Sequence, residues 1–282
     1  MEAKVKEKES ILTVMTYNVA HGRGRRFHQA LVDRATMERT LAGIAGHILE
    51  QRPHVVALQE IDQSSVWNHR VDQLSYLKEL TGYDHARHGI HADKRLLDKP
   101  LLKYGVGILS RLEPISFYSE PFKLGRLDTK GFTCKRFQFR GHCFMLIALH
   151  LDFRRHRRRV VQARHIIEHV QANRGAHEHL IVMGDFNCTP KRPSSPLRML
   201  MGELDLHTVD PTEYRSEKHA SFTQFGGFRL DYVLVDRTLR FADYRTGNAR
   251  LSDHEYVVAR LALDTDAPDK RHGCRHQQEI SS

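Results

Sequence analysis

Short apolar runs, each the length of a β-strand, end abruptly against polar residues along this chain. Leu180-Ile181-Val182-Met183 is continuous and apolar, and Gly184 closes it, so it reads as a buried strand with Asp185 and Asn187 at its C-terminal tip. The arrangement recurs where Ile11 to Tyr17 runs into Asn18, Val55 to Leu58 into Gln59-Glu60, and Phe144 to Leu149 into His150. Two later runs are reversed: Asp231 opens Tyr232 to Val235, and Asp253-His254 opens Tyr256 to Ala259. If these two lie antiparallel to the first four in mixed sheets, all six polar ends converge on one edge. Any one such residue is ordinarily a turn residue or a helix cap. A set of strand ends carrying Asn, Glu, His, Asp with Asn, Asp, and Asp with His exceeds what capping explains.

Helical patterns alternate with the strands over Asp33 to Glu50, Asp72 to Leu80 and His156 to Val170, and the stripe Val160, Ala163, Ile167 and Val170 suits a helix laid on a sheet. No proline-rich or glycine-serine linker divides the chain and no internal repeat is evident. A length of 282 residues with 40% hydrophobic content can bury a large single core. One domain is expected over 11–263, with a disordered N-terminal segment at 1–10 and a disordered C-terminal tail at 264–282, both charged or polar.

Taken in order, Thr16-Tyr17-Asn18, Leu58-Gln59-Glu60-Ile61-Asp62, Gly105 to Arg111, His150-Leu151-Asp152, Gly184-Asp185-Phe186-Asn187, Leu230-Asp231-Tyr232-Val233 and Ser252-Asp253-His254 resemble the motifs of the endonuclease/exonuclease/phosphatase superfamily. Pancreatic deoxyribonuclease and the sphingomyelinases typify that family. The opening Asn18 to Gly24 looks most like a bacterial branch of small metal-dependent hydrolases. The resemblance implies a four-layer α/β/β/α sandwich, two mixed β-sheets face to face with helices outside. It also implies hydrolysis of phosphoric esters with Mg²⁺ or Mn²⁺.

The residue roles that follow are those the resemblance implies. Glu60 matches the family's metal carboxylate, with Asn18 orienting metal and phosphate and Asp253 sharing in metal or water organisation. A hard oxygen donor with few protein contacts suits Mg²⁺ or Mn²⁺. Asp185 is the base that orients and deprotonates the attacking water, and Asn187 holds phosphate or water in line. His254 contacts the scissile phosphate, Asp231 fixes its tautomer and favours its charged form, and His150 donates a second hydrogen bond to the phosphoryl group. The sequence departs from the family pattern at Ala148-Leu149 before His150 and at Glu255-Tyr256 after His254, positions that bear on substrate contacts and loop geometry.

A formal charge of +10 points to an anionic phosphoester substrate; a nucleic acid fits, as does an anionic lipid headgroup. Arg154 to Arg159 enter the first turn of a helix, where cations oppose the dipole. Arg157, Arg158 and Arg159 are therefore candidate substrate contacts, balanced by a polyphosphate, a lipid headgroup or an acidic loop, against the plain alternative of a solvated run. Arg23, Arg25 and Arg26 extend the basic surface beside Asn18. Trp67-Asn68-His69-Arg70 is a candidate substrate-side loop, although a lone Trp more often packs.

The N-terminus carries no secretory signal and no run is long enough to span a membrane, so a cytoplasmic monomer is expected. Cys134 and Cys143 share a hairpin turning at Arg140-Gly141, which sets Cys134 opposite about Ile147 and disfavours a bridge between the two. Two further groups, His85, His88 and His91, and His272, Cys274 and His276, are expected to be exposed without forming metal sites. Three functions stand: a phosphodiesterase acting on nucleic acid or another anionic diester, a lipid or sugar phosphate hydrolase, and a binding module on the same scaffold. Glu60, Asp185, Asp231 and His254, all present, argue against the last.

Overall fold

A computed structural model describes residues 11–97, 99–125, 128–209, 228–247 and 250–263, so the expectations for both termini and for His272, Cys274 and His276 fall outside the described residues. In chain order the strands are β1 (Leu12–Asn18), β2 (Val55–Asp62), β3 (His85–Leu96), β4 (Lys99–Ser110), β5 (Pro114–Pro121), β6 (Gly131–Phe139), β7 (His142–His150), β8 (Glu178–Asp185), β9 (Leu206–His207), β10 (Asp231–Asp236), β11 (Leu239–Gly247) and β12 (Tyr256–Leu263). The helices are α1 (Arg34–Gln51), α2 (Gln73–Thr81), α3 (His156–Asn173) and α4 (Pro196–Glu203).

The strands form two six-stranded mixed sheets, ordered β11-β12-β1-β2-β4-β3 and β5-β6-β7-β8-β10-β9. Each sheet holds a central parallel pair, β1 with β2 and β7 with β8, and antiparallel neighbours flank each pair. Three apolar layers hold the sandwich together. Val14, Ala57, Val106, Leu146, Ile181 and Val257 fill the space between the sheets. Met37, Leu41, Ile44 and Leu77 seat α1 and α2 on the first sheet, and Ala163, Ile166, Ile167 and Leu200 seat α3 and α4 on the second. Each fully buried Val, Leu or Ile contributes roughly 1.5 to 3 kcal/mol of transfer free energy. This is the expected four-layer α/β/β/α sandwich.

Helix starts follow local chemistry. Asp33 caps α1 by accepting from Thr36 N at 2.8 Å, and Asp72 caps α2 by accepting from Ser75 N at 3.0 Å. The apolar stripe of α3 is shifted from the sequence reading, with Ile166 taking a buried place and Val160 only half-buried. β6 and β7 pair with Cys134 opposite Ile147, and Cys134 and Cys188 carry free thiols. The histidines of β3 depart from the expected exposure. His91 is buried, with Nε2 3.1 Å from Phe132 O, and His88 pairs with Asp72 at 2.9 Å. Both sit where β3 lies against α2 and β6, so each ring engages neighbouring groups through Nε2, His88 on the cap of α2 and His91 on β5 and β6.

Gly184 lets β8 pass close to β7 just before Asp185. Its φ is 143°, and a Cβ there would lie 2.0 Å from Leu149 O. The obstacle is backbone of the neighbouring strand and cannot rotate away. Gly184→Ala is expected to destabilise the fold by about 3 kcal/mol, combining strain and lost pairing. Thermal unfolding checks this: a melting temperature within a degree of wild type contradicts the close approach.

Candidate active site

β1, β2, β7 and β8 end, and β10 begins, on one edge of the sandwich. β8 and β10 run antiparallel with Asp185 opposite Asp231, and the parallel pair β7 and β8 sets His150 opposite Asp185. Asn18 ends β1 beside Gln59 of β2. A bulge at Glu60 breaks the β2–β4 register between Gln59 and Ile61, with Glu60 at φ 53°. Asn187, Ala20 and His21 are likewise left-handed, at φ 48°, 49° and 56°. Such conformations cost about 1 to 3 kcal/mol each and concentrate where side chains are aimed at a site. Here they lie beside the strand ends.

Asp185, buried, is the hub. Its Oδ2 accepts from Asn18 Nδ2 at 3.1 Å and from Asn187 Nδ2 at 3.2 Å, while Oδ1 accepts from Asn187 N at 2.9 Å. Asn187 is itself fixed by donating to Leu151 O at 3.0 Å. His150 Nε2 lies 3.3 Å and His254 Nε2 3.8 Å from Asp185 Oδ2. Burial works against the charge of Asp185, but His254 and then His150 hold its carboxyl below the usual range. His254 Nδ1 meets Asp231 Oδ2 at 2.7 Å, which fixes the ring and leaves Nε2 facing Asp185 and Asn18. Burial disfavours the imidazolium, yet the carboxylates of Asp231 and Asp185 push His254 up to about 10. Burial in turn raises Asp231. Ser252 Oγ donates to Asn18 O at 2.7 Å and accepts from His254 N at 3.2 Å, tying the loop before β12 to the end of β1.

Glu60 forms the second half of the cluster. Lys130 Nζ, buried at the start of β6, lies 3.4 Å from Glu60 Oε1 and 2.7 Å from His150 Nε2. His21 Nε2 lies 3.5 Å from Glu60 Oε2, and its Nδ1 meets Asp62 at 2.9 Å. Burial opposes ionisation of Glu60, but Lys130, His21 and His150 hold it well below the ordinary carboxylate range. Burial and Lys130 together push His150 down, toward its neutral form. Trp67 donates Nε1 to Asp62 at 3.2 Å and packs edge-on against His21, so it braces the Glu60 side of the site.

The structure thus brings together Asn18, Glu60, His150, Asp185, Asn187, Asp231 and His254. Asp253 adjoins them with Arg23 on its carboxylate. The three arginines part company: Arg157 is exposed, Arg158 pairs with Asp152 at 3.6 Å, and Arg159 donates to Asp152 O at 2.8 Å. Asp152 also accepts from the backbone N–H of Arg154 and Arg155, so an acidic residue compensates the basic turn from within the fold. Lys130, His21 and Asp62 are additions to the site. Lys130 was foreshadowed by hairpin register, since pairing Cys134 with Ile147 places Gly131 opposite His150. His21 and Asp62 fall inside the family-like stretches Asn18 to Gly24 and Leu58 to Asp62, but nothing there assigns either a role.

Asp185, Asp231 and His254 each offer a ligand atom within 4.8 Å of the others, a cluster that can hold a divalent cation when His254 is neutral; with His254 charged, the donors left to a cation are those of the Glu60 side. With Glu60 and the Asn18 amide oxygen close by, the donor set is dominated by hard oxygens. Among the described residues no helix is long and apolar enough to cross a membrane.

The chain resembles solved structures over most of its length. An endonuclease/exonuclease/phosphatase from Beutenbergia cavernae is 20% identical with a TM-score of 0.71, covering 90% of this chain and 72% of that one. One from Bacteroides vulgatus is 17% identical with a TM-score of 0.71, covering 91% and 100%. D. rerio TDP2 complexed with a single-strand DNA product is 15% identical with a TM-score of 0.67, covering 90% and 100%. Bacterial and eukaryotic folds match alike, so the fold does not single out a bacterial branch. No curated protein sequence matches. The family model described as Endonuclease/Exonuclease/phosphatase family matches residues 15–254, the span that carries every strand end of the site, and the chain belongs to that family.

Proposed function

We propose that the chain is a Mg²⁺- or Mn²⁺-dependent phosphodiesterase acting on nucleic acid or another anionic phosphodiester. The observation that carries this reading is the line Asp231–His254–Asp185–Asn18, a charged imidazole and a carboxylate locked side by side on one edge. Glu60 and Asn18 would hold the cation, with Asp253 organising that side through Arg23. A bound divalent cation supplies charge neutralisation at the phosphoryl oxygens. Asp185, held ionised and with a single donor on Oδ1, orients the attacking water and receives its proton as attack develops. Asn187 keeps that carboxylate and the water in line. His254, charged and braced by Asp231, meets the charge that builds on the phosphoryl group, and His150 and Lys130 border the same position. The likeness to TDP2 bound to a DNA product supports a nucleic-acid strand as the first substrate to try.

The test is a panel of single-stranded and duplex DNA, RNA, sphingomyelin and phosphoinositides, assayed with Mg²⁺ and with EDTA at several salt concentrations. Cleavage of a nucleic-acid strand is expected, abolished by EDTA and weakened steeply by salt at sub-saturating substrate. Cleavage of sphingomyelin or phosphoinositide alone moves the chain to the lipid reading. Hydrolysis that survives chelation overturns the metal dependence.

A further inference from the structure

One residue beyond Asn187 the chain enters the wall of a separate cavity of about 220 Å³. Cys188, Thr189, Lys191 and Arg192 line it from one loop, and His156 and Arg159 from the first turn of α3. α4 also starts on this wall, so two helix N-termini add their partial positive charge to three cationic side chains. No carboxylate is among the lining residues. Asp152, beside Arg159, is occupied by Arg158 and by two backbone N–H groups. Arg159 reaches only the backbone carbonyl of Asp152, and its Nε is buried with no partner. An unsatisfied guanidinium nitrogen among like charges costs stability unless an anion meets it.

The walls are preformed. Ser195 Oγ donates to Thr189 O at 2.8 Å, Ser195 N donates to Arg192 O at 3.0 Å, and His156 Nε2 meets Ser194 Oγ at 3.3 Å. These bonds lock the loop after Asn187 onto the starts of α3 and α4. Because Asn187 and Cys188 are consecutive, their Cα atoms lie about 3.8 Å apart, within reach of a single extended substrate.

We propose that this cavity is a second phosphate subsite, which takes a phosphate neighbouring the scissile one. The inference deepens the phosphodiesterase reading and rests on it for the identity of the group cleaved. A guanidinium fork, an ammonium and helix N-termini suit a tetrahedral oxyanion. Such a phosphate is offered by the next link of a nucleic-acid strand or by a ring phosphate on an inositol headgroup.

The experiment measures binding in EDTA, where metal-dependent turnover is absent. The probes are a fluorescent thymidine dinucleotide with and without a terminal phosphate, placed 5′ or 3′, and glycerophosphoinositol with and without a ring phosphate. Wild type is expected to bind the phosphorylated member of one pair about tenfold more tightly. In Lys191→Ala/Arg192→Ala, at two exposed positions, that ratio is expected to fall to near one. The charge-conserving pair Lys191→Arg/Arg192→Lys is expected to restore it, which separates lost charge from lost fold. Preference within the dinucleotide pair assigns a nucleic-acid strand, and preference within the inositol pair assigns a headgroup. A wild-type ratio near one in both pairs, or a ratio that the alanine pair leaves intact, overturns the subsite. If wild type with Mg²⁺ cleaves no phosphodiester, the phosphodiesterase reading fails while the binding ratio still decides whether the cavity takes phosphate.

Discussion

Asp185→Asn is expected to lower kcat on any phosphodiester the wild type cleaves by about a thousandfold or more, with KM changed far less. The amide keeps the size of the carboxylate, but one of its two heavy atoms becomes a donor. Oδ2 now accepts from Asn18 and Asn187, and Oδ1 accepts from the Asn187 backbone. Whichever way the amide turns, an N–H faces an N–H. The negative charge that helps keep His254 protonated disappears as well. Base, orientation and electrostatic support are therefore lost together. His254→Ala removes the cation on the other side and is expected to cost a comparable factor. Because the two side chains act on one transition state, the double variant should fall little further than either single one. Steady-state kinetics on purified variants, with unfolding curves to show that the sandwich survives, decide the matter. A kcat for Asp185→Asn within tenfold of wild type would remove Asp185 from the chemistry.

The features the sequence displays are those that depend on one strand at a time. Leu180 to Met183 and Phe144 to Leu149 are continuous apolar runs because both faces of β7 and β8 are covered, so their polar tips stand out. Asp231 and His254 lie at the starts of runs, and the antiparallel placement of β10 against β8 and β12 against β1 carries them to the same edge. Outer strands are different. β3 mixes exposed, half-buried and buried positions, and its histidines find partners in α2, β5 and β6, none of which a local pattern reveals. His21 and Glu60 meet because a bulge in β2 and a left-handed turn after β1 aim two side chains at each other. A shift of one residue in either element would point one of them away. Lys130 is intermediate: the hairpin register locates it beside His150, but a lysine at a strand start carries no mark of burial. The basic run shows the opposite error of scale. Six consecutive basic residues suggest one surface, yet the turn divides them among solvent, Asp152 and a cavity.

Asp231→Asn is expected to move the alkaline limit of activity downward by about three pH units or more, roughly a thirtyfold loss at pH 8. In wild type, burial disfavours the His254 cation and the neighbouring carboxylates outweigh it, raising the imidazole from 6.5 to about 10. Activity that needs the charged ring should then hold across neutral pH and decline only toward pH 10. In the variant the new amide would still accept the Nδ1 hydrogen bond through its oxygen, but the countercharge is gone while burial remains. The folded-state value therefore drops toward or below 6.5, and the ring is neutral at about pH 8. Asp185, held below the usual carboxylate range, stays ionised on the acid side, so lowering the pH should recover activity in the variant. Simple loss of packing would not produce that recovery. The same shift has a stability signature of definite sign. Because the folded value of His254 is raised, its contribution is complete below pH 6.5 and is lost as pH rises through about 10. Wild type should thus lose thermal stability across that window, and Asp231→Asn should lose less there. Profiles of kcat/KM against pH for both proteins test the pair directly, and superimposable alkaline limbs would show that Asp231 does not set the charge of His254.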